Sequence, residues 1–304
     1  MISFRYHLVS IVAVFLALAL GIVVGTTALN GPITTDLRKQ VNTLKNDRTA
    51  LAQQVKTLQG QVSDAGEFAR SFGNKLVDGA LTKQNVLLIG MPGASGNVQD
   101  GIASQIAAAG GKVTGHVSLT ESYIDPRRGT DISSLATTVH PPALTLPEVN
   151  DPGELGGALL AFVLLGHGQA TDLSQVLSGF SALHMVSVAG NNITPATTVV
   201  VVGTGARPAG DYGAKMELSL VTALQAGGGN VVVAGDSGSA SQAGIVAEVR
   251  GPSGDKATVS TVDNAETAIG QVSTVFALAD IANSKVGHYG TATGVDALFP
   301  TPTK

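Results

Sequence analysis

Thr198–Gly203 (TVVVVG) and Asn230–Gly235 (NVVVAG) decide the fold. Each is a short β-branched run without polar alternation, the pattern of a strand buried on both faces. Between them, residues 215–226 have the composition and length of a helix. Strand, helix, strand in that order implies parallel pairing through a crossover. Upstream, residues 85–90 (NVLLIG) and 112–119 (KVTGHVSL) read as strands around a helix at 98–109. Helices at 155–165 and 173–183 and a strand at 184–188 follow. Downstream, a helix at 242–249 leads to a strand at 257–262 (ATVSTV) that closes the sheet, then a helix at 267–282. The expected fold is therefore α/β: a doubly wound, largely parallel, three-layer domain over residues 67–290, with right-handed crossovers. Residues 138–151, carrying Pro141, Pro142 and Pro147, read as a loop between its halves, and 291–304 as a flexible tail.

Buried strands also explain part of an unusual composition. Only 13% of the 304 residues are charged, against about 25% in ordinary soluble proteins. The rest of the deficit lies at the N-terminus. Residues 8–29 (LVSIVAVFLALALGIVVGTTAL) carry no charge, and at 1.5 Å per residue they reach about 33 Å, enough for a hydrocarbon core of about 30 Å. A cleaved signal peptide would have a shorter apolar region and a better small-x-small site than Thr26-Thr27-Ala28. An uncleaved signal-anchor within residues 1–30, with membrane lipid as its partner, is the favoured reading over that or a buried core helix. Gly21 and Gly25 have the spacing that lets membrane helices approach closely. Arg38, Lys39, Lys45 and Arg48 follow the span and only Arg5 precedes it, which by the positive-inside rule leans toward a cytoplasmic C-terminal domain.

Residues 31–66 hold a heptad seam. Leu37, Val41, Leu44, Arg48, Leu51, Val55, Leu58 and Val62 alternate steps of four and three. β-Branched residues at a with Leu at d favour a parallel two-stranded coil, and the single charged a position, Arg48, fixes register. The expectation is a homodimer through this coiled coil; the alternative is an amphipathic helix packed on its own domain. Gly60 and Gly66 weaken the helix and place a boundary near residues 60–70, with one more helical piece containing Phe68, Phe72, Leu76 and Val77.

The chemistry-bearing motifs are sparse. With 18 basic against 22 acidic residues the chain is no general nucleic-acid binder, and zero Cys excludes disulfides, thiolate metal sites and thiol catalysis. Gly90–Gly96 (GMPGASG) sits where α/β folds bind phosphate but lacks the P-loop Lys and the G-x-G-x-x-G spacing, so a glycine-rich turn is expected. Gly235-Asp236-Ser237-Gly238 looks like a serine-protease string without its context, and Asp236 reads as a helix N-cap. His7, His116, His140, His167, His184 and His288 show no local metal-ligand spacing. His184 and Met185 point to opposite faces of a strand. Met91, Met185 and Met216 are too sparse for a Cu(I) string. Val286–Gly290 (VGHYG) is the most unusual short string, either a turn packed on the domain or a functional polar pair. No catalytic, cofactor or metal residue is assigned, and the chain is not expected to be an enzyme; an anchored α/β enzyme would need a convergent polar pocket at the strand C-termini.

The opening residues Met1-Ile2-Ser3-Phe4-Arg5-Tyr6-His7-Leu8-Val9-Ser10 and the Ala13–Ala19 span resemble the actinobacterial copper transporter MctB family. So do Ser260-Thr261-Val262-Asp263, Ala277-Leu278 and Val286–Gly290, and the likeness runs to about residue 290. The resemblance implies a cell-envelope protein assigned to copper efflux and copper resistance as an outer-membrane pore-former, with copper ion as the transported species. It brings no copper ligands to numbered positions. It also implies a periplasmic C-terminal domain, against the charge count. The residues themselves favour helix-separated strands over a lipid-facing barrel, which needs alternating strands and aromatic girdles; aromatics are only 4%. The alternative is a membrane-anchored periplasmic scaffold dimer that organises envelope protein partners and acts on copper indirectly.

Overall fold

In the computed structural model, which describes residues 4–190, 193–252 and 254–301, TVVVVG is β4 (Thr198–Gly203), fully buried at the centre of the sheet. Met1–Ser3 of the opening string, residues 302–304 of the tail, and the side chains of Arg5 and of residues 27–36 lie outside that description. The elements in chain order are α1 (Phe4–Val77), β1 (Asn85–Gly90), α2 (Gly96–Ala108), β2 (Lys112–Leu119), α3 (Gly129–Val139), α4 (Pro152–Leu164), α5 (Ala170–Ala182) and β3 (Val186–Ala189). After β4 come α6 (Tyr212–Ala226), β5 (Asn230–Gly235), α7 (Ile245–Arg250), β6 (Ser260–Val262), α8 (Ala268–Ala282) and β7 (His288–Tyr289). Two compact units, Met1–Asp64 and Ala65–Lys304, share α1 and are described separately.

In the first unit, Tyr6–Thr26 is long and apolar enough to cross a membrane, and none of it is buried. Leu37, Val41, Leu44, Leu51, Val55, Leu58 and Val62 are all exposed. The seam is thus a helix face without a described partner, and the coil remains a reading of its spacing. α1 does not end at the glycines but runs through Gly60 and Gly66 to Val77. In the second unit the helix end is secured by packing: Val77 is fully buried, and a Cβ on Gly73 would meet Val272 at 2.9 Å. Such burial outweighs a glycine penalty of about 1 kcal/mol.

The second unit is the expected three-layer α/β domain. Its seven strands have the order β3-β2-β1-β4-β5-β6-β7. Alternate strand residues feed two separate cores. Leu87, Ile89, Val199, Val201, Val231 and Val233 pack with α3, α4, α5, α6 and α7. Val86, Leu88, Val200, Val202, Val232 and Ala234 pack with α2, α8 and the end of α1. Period-two geometry thus places every second Val on an opposite layer, and both layers are apolar.

Four local readings change. β3 begins at Val186 and is antiparallel to β2, because His184 takes a left-handed conformation (φ 55°) that turns the chain into the edge. α3 occupies 129–139 and was hidden by its Thr/Ser content. Ser133, Thr137 and Thr138 return their hydroxyls to helix carbonyls, while Ile132 and Ala136 bury. Val286–Gly290 supplies a seventh strand, parallel to β6. Finally, β6–α8–β7 steps in the same direction as β4–α6–β5 but crosses the opposite face, so it has the opposite hand to the unit before it. α8 goes there because that face otherwise has only α2 and the end of α1 to cover it.

Candidate functional site

The direction of winding reverses between β1 and β4, so the crevice beyond their C-terminal ends is where a ligand site would form. Two loops approach each other closely there. The loop after β1 makes its turn at Gly93 (φ 81°), and a Cβ there would sit 3.3 Å from Thr204 Cγ2. No basic side chain lies in Gly90–Gly96. The loop is the turn its composition indicated.

Asp236, at the end of β5, binds the neighbouring loops together. Its carboxylate accepts from Thr204 Oγ1 (2.6 Å), Gly205 N (2.9 Å) and Ser239 N (2.8 Å). It is the N-cap of the 3-10 turn Ser237–Ala240, and Ser239 Oγ donates to its carbonyl (2.6 Å). The GDSG string is therefore a structural cap: its carboxylate is used by loop donors rather than by a histidine.

Beside it lies a buried polar group. Arg207 Nη2 donates to Glu217 Oε1 at 2.6 Å, and Arg207 Nη1 lies 3.8 Å from Asp211, the N-cap of α6. Burial pushes the Glu217 carboxyl up to about 7, and Arg207 only partly opposes it. Tyr123 is fully buried nearby, its hydroxyl without a hydrogen-bond partner among the described residues and its pKa raised chiefly by burial. A shifted acid marks a functional site only where substrate reaches it, and Glu217 is 3% exposed. The nest is an internal one.

A further polar network joins two of the strings that carried the family resemblance. Arg250 (α7) and Asp263 (after β6) form an ion pair at 2.8 Å, with side chains 6% and 0% exposed. Arg250 also donates to Thr261 Oγ1 (2.8 Å) and the Tyr289 carbonyl (3.1 Å). Asp263 accepts from Thr291 N (2.7 Å) and Ala292 N (3.2 Å). His288 Nε2 lies 3.0 Å from the Lys256 carbonyl, which only accepts, so that nitrogen carries the proton. Nδ1 then accepts from the Thr261 hydroxyl at 2.9 Å. Burial lowers the His288 pKa, consistent with a neutral ring. Tyr289 donates to Asp280 (3.2 Å), and burial, reinforced by Asp280, raises it to about 12. Residues 291–297, expected to be a flexible tail, are fastened here: Asp296 accepts from His288 N, and Ala297 bridges Tyr289. Val286–Gly290 is thus half of a clasp, and His288 has no lone pair left for a metal.

The other donors are scattered. His116 is in β2, His140 closes α3 beside the Thr137 carbonyl (3.2 Å), His184 is in its turn, and Met91, Met185 and Met216 are buried in the core. His167 Nε2 bonds the Gly227 carbonyl (2.8 Å) beside a groove of about 620 Å³ between α4 and α6, which Glu154 also lines. No three His, Cys, Asp or Glu side chains are grouped to hold a metal among the described residues. Sequence reasoning missed the clasp and the Arg207–Glu217 pair. The one available signal was a lone Arg or Glu amid apolar helix residues, without its partner.

Comparison with known proteins adds what the geometry lacks. A family model described as "Copper transport outer membrane protein, MctB" matches residues 1–300. The chain is 29% identical over 307 residues to the copper transporter MctB of Mycobacterium tuberculosis, covering 97% of this chain and 98% of that protein. The Mycobacterium leprae copper transporter MctB is 29% identical over 314 residues, covering 98% and 99%.

Proposed function

Because the chain belongs to the MctB family of copper transport outer membrane proteins, we propose that it serves copper efflux and copper resistance from the cell envelope. In this reading Tyr6–Thr26 is the membrane anchor and the α/β domain stands on the periplasmic side. One observation carries the division of labour: both faces of the sheet are covered by helices, so its strands present no side chains to lipid. Membrane contact then falls to the apolar span. Any pore is built by association of spans, with Leu37–Val62 pairing two copies as a parallel coil. His7 is the imidazole at the N-terminal end of that span, where the helix meets the membrane interface and an ion would enter.

The test is cellular copper content in a strain lacking its own copy. The full chain is expected to lower it, His7→Ala to lose most of that effect, and residues 31–304 alone to lose it entirely. Equal copper content with and without the full chain sinks the reading. A scaffold role, acting on copper indirectly through envelope partners, is favoured by the engagement of His288 and the burial of the methionines. Copper titration of the full chain in nanodiscs separates the two: no binding above buffer competition selects the scaffold.

A further inference from the structure

The second unit concentrates its exposed apolar surface in one place. Its exposed large hydrophobic side chains, among the described residues, are Phe68, Phe72, Leu76, Val149, Leu298 and Phe299. All but Val149 belong to the end of α1 or to the segment 298–299. Phe68 and Phe72 stack at 4.8 Å and are 60% and 45% exposed; Phe299 is 55% exposed. Beside them runs a groove of about 420 Å³ between the end of α1 and α8, walled by Phe68, Leu76, Ile269, Phe276, Phe299 and Pro300. Ser273 is its one polar lining residue, and no charge lines it. Contiguous apolar surface of this kind marks an interaction site.

The sequence says what covers it. The steps of three and four from Leu37 to Val62 continue without a break onto Ala65, Ala69, Phe72 and Leu76. Ala69 is already buried in its own domain, and Ala65, Ala69 and Leu76 of this register line the groove. Two chains anchored by N-terminal spans in one membrane run in the same direction, so their heptads meet in register. A two-fold pair brings each patch onto its own copy, the self-complementary arrangement of cyclic dimers.

We propose that this groove is a dimer interface occupied by the end of α1 of a second copy, extending the 37–62 seam onto the α/β domain. The proposal rests on the coiled-coil reading and is tested so that the two fail separately. The chain has no native Cys, so single-Cys variants report cleanly in the full chain in native membranes. Disulfides form only where Cα atoms come within about 7 Å. Leu44→Cys reports the coil, Phe72→Cys and Leu76→Cys the extension, and Gln53→Cys, at an outward heptad position, the background. The expected result is disulfide-linked dimer for Leu44→Cys and for Phe72→Cys or Leu76→Cys at about tenfold or more over Gln53→Cys. Linkage of Leu44→Cys with both extension variants at background overturns the proposal and leaves the coil standing; a lipid or another protein then covers the groove. All variants at background overturn both.

Discussion

Glu217→Gln isolates the cost of a buried carboxylate. Glu217 is 3% exposed, and its charge faces Arg207 at 2.6 Å, with Asp211 and Glu121 adding repulsion. Burial dominates and lifts its pKa from 4.5 to about 7. At about 1.4 kcal/mol per unit, that rise corresponds to about 3 kcal/mol. Because the folded state holds this proton more tightly than the unfolded chain, the contribution is fully present below pH 4.5. It is lost as pH rises through about 7. Gln keeps an oxygen for Arg207 and has no proton to lose. Urea unfolding of residues 65–304 at steps between pH 4.5 and 8 should therefore show wild type falling by about 3 kcal/mol relative to Glu217→Gln as pH rises. Parallel curves refute the argument. A wild type that gains on the variant with rising pH also refutes it, since Arg207 would then outweigh burial.

The clasp and the Asp236 cap yield three more. Arg250→Met leaves Asp263 charged and buried, and should cost the same fragment about 3–5 kcal/mol in urea unfolding; a loss under about 1 kcal/mol sinks the clasp. Gly290→Ala forces a side chain into a φ of 129° and against the Asp263 carboxylate. It should cost more than about 1 kcal/mol, with loss of amide-exchange protection at Thr291 and Ala292 before the rest of the sheet. Asp236→Ala strips the acceptor from Thr204, Gly205 and Ser239. A fall of about 1–3 kcal/mol in unfolding free energy is expected, and thermal unfolding indistinguishable from wild type contradicts the cap.

What was legible in the chain was whatever burial writes locally. TVVVVG and NVVVAG name themselves because strands covered on both faces exclude polar residues at every position. α3 did not, since its Thr and Ser residues lower helix propensity and the helix is decided by Ile132 and Ala136 meeting the core. The antiparallel sense of β3 was equally hidden: four residues carry no direction, and the turn at His184 sets it. Arg250 and Asp263 are 13 residues apart, and Thr261 and His288 are 27 apart. No spacing rule links such pairs, because the link is the sheet order. The Asp236 cap could be read, since a cap acts within three residues.

The clasp also orders events in time. Arg250 and Asp263 can pair once both are made, but Asp263 acquires Thr291 N and Ala292 N, and Arg250 its bond to the Tyr289 carbonyl, only after β7, the last strand in chain order among the described residues. Until then a chain emerging N-terminus first has its apolar span ready for the membrane, while one edge of the sheet is open and one acid is only partly paired. The domain therefore closes late. In the periplasmic placement proposed above, where the body crosses a bilayer as an unfolded thread, this arrangement seals the final fold with the residues that arrive last on the far side.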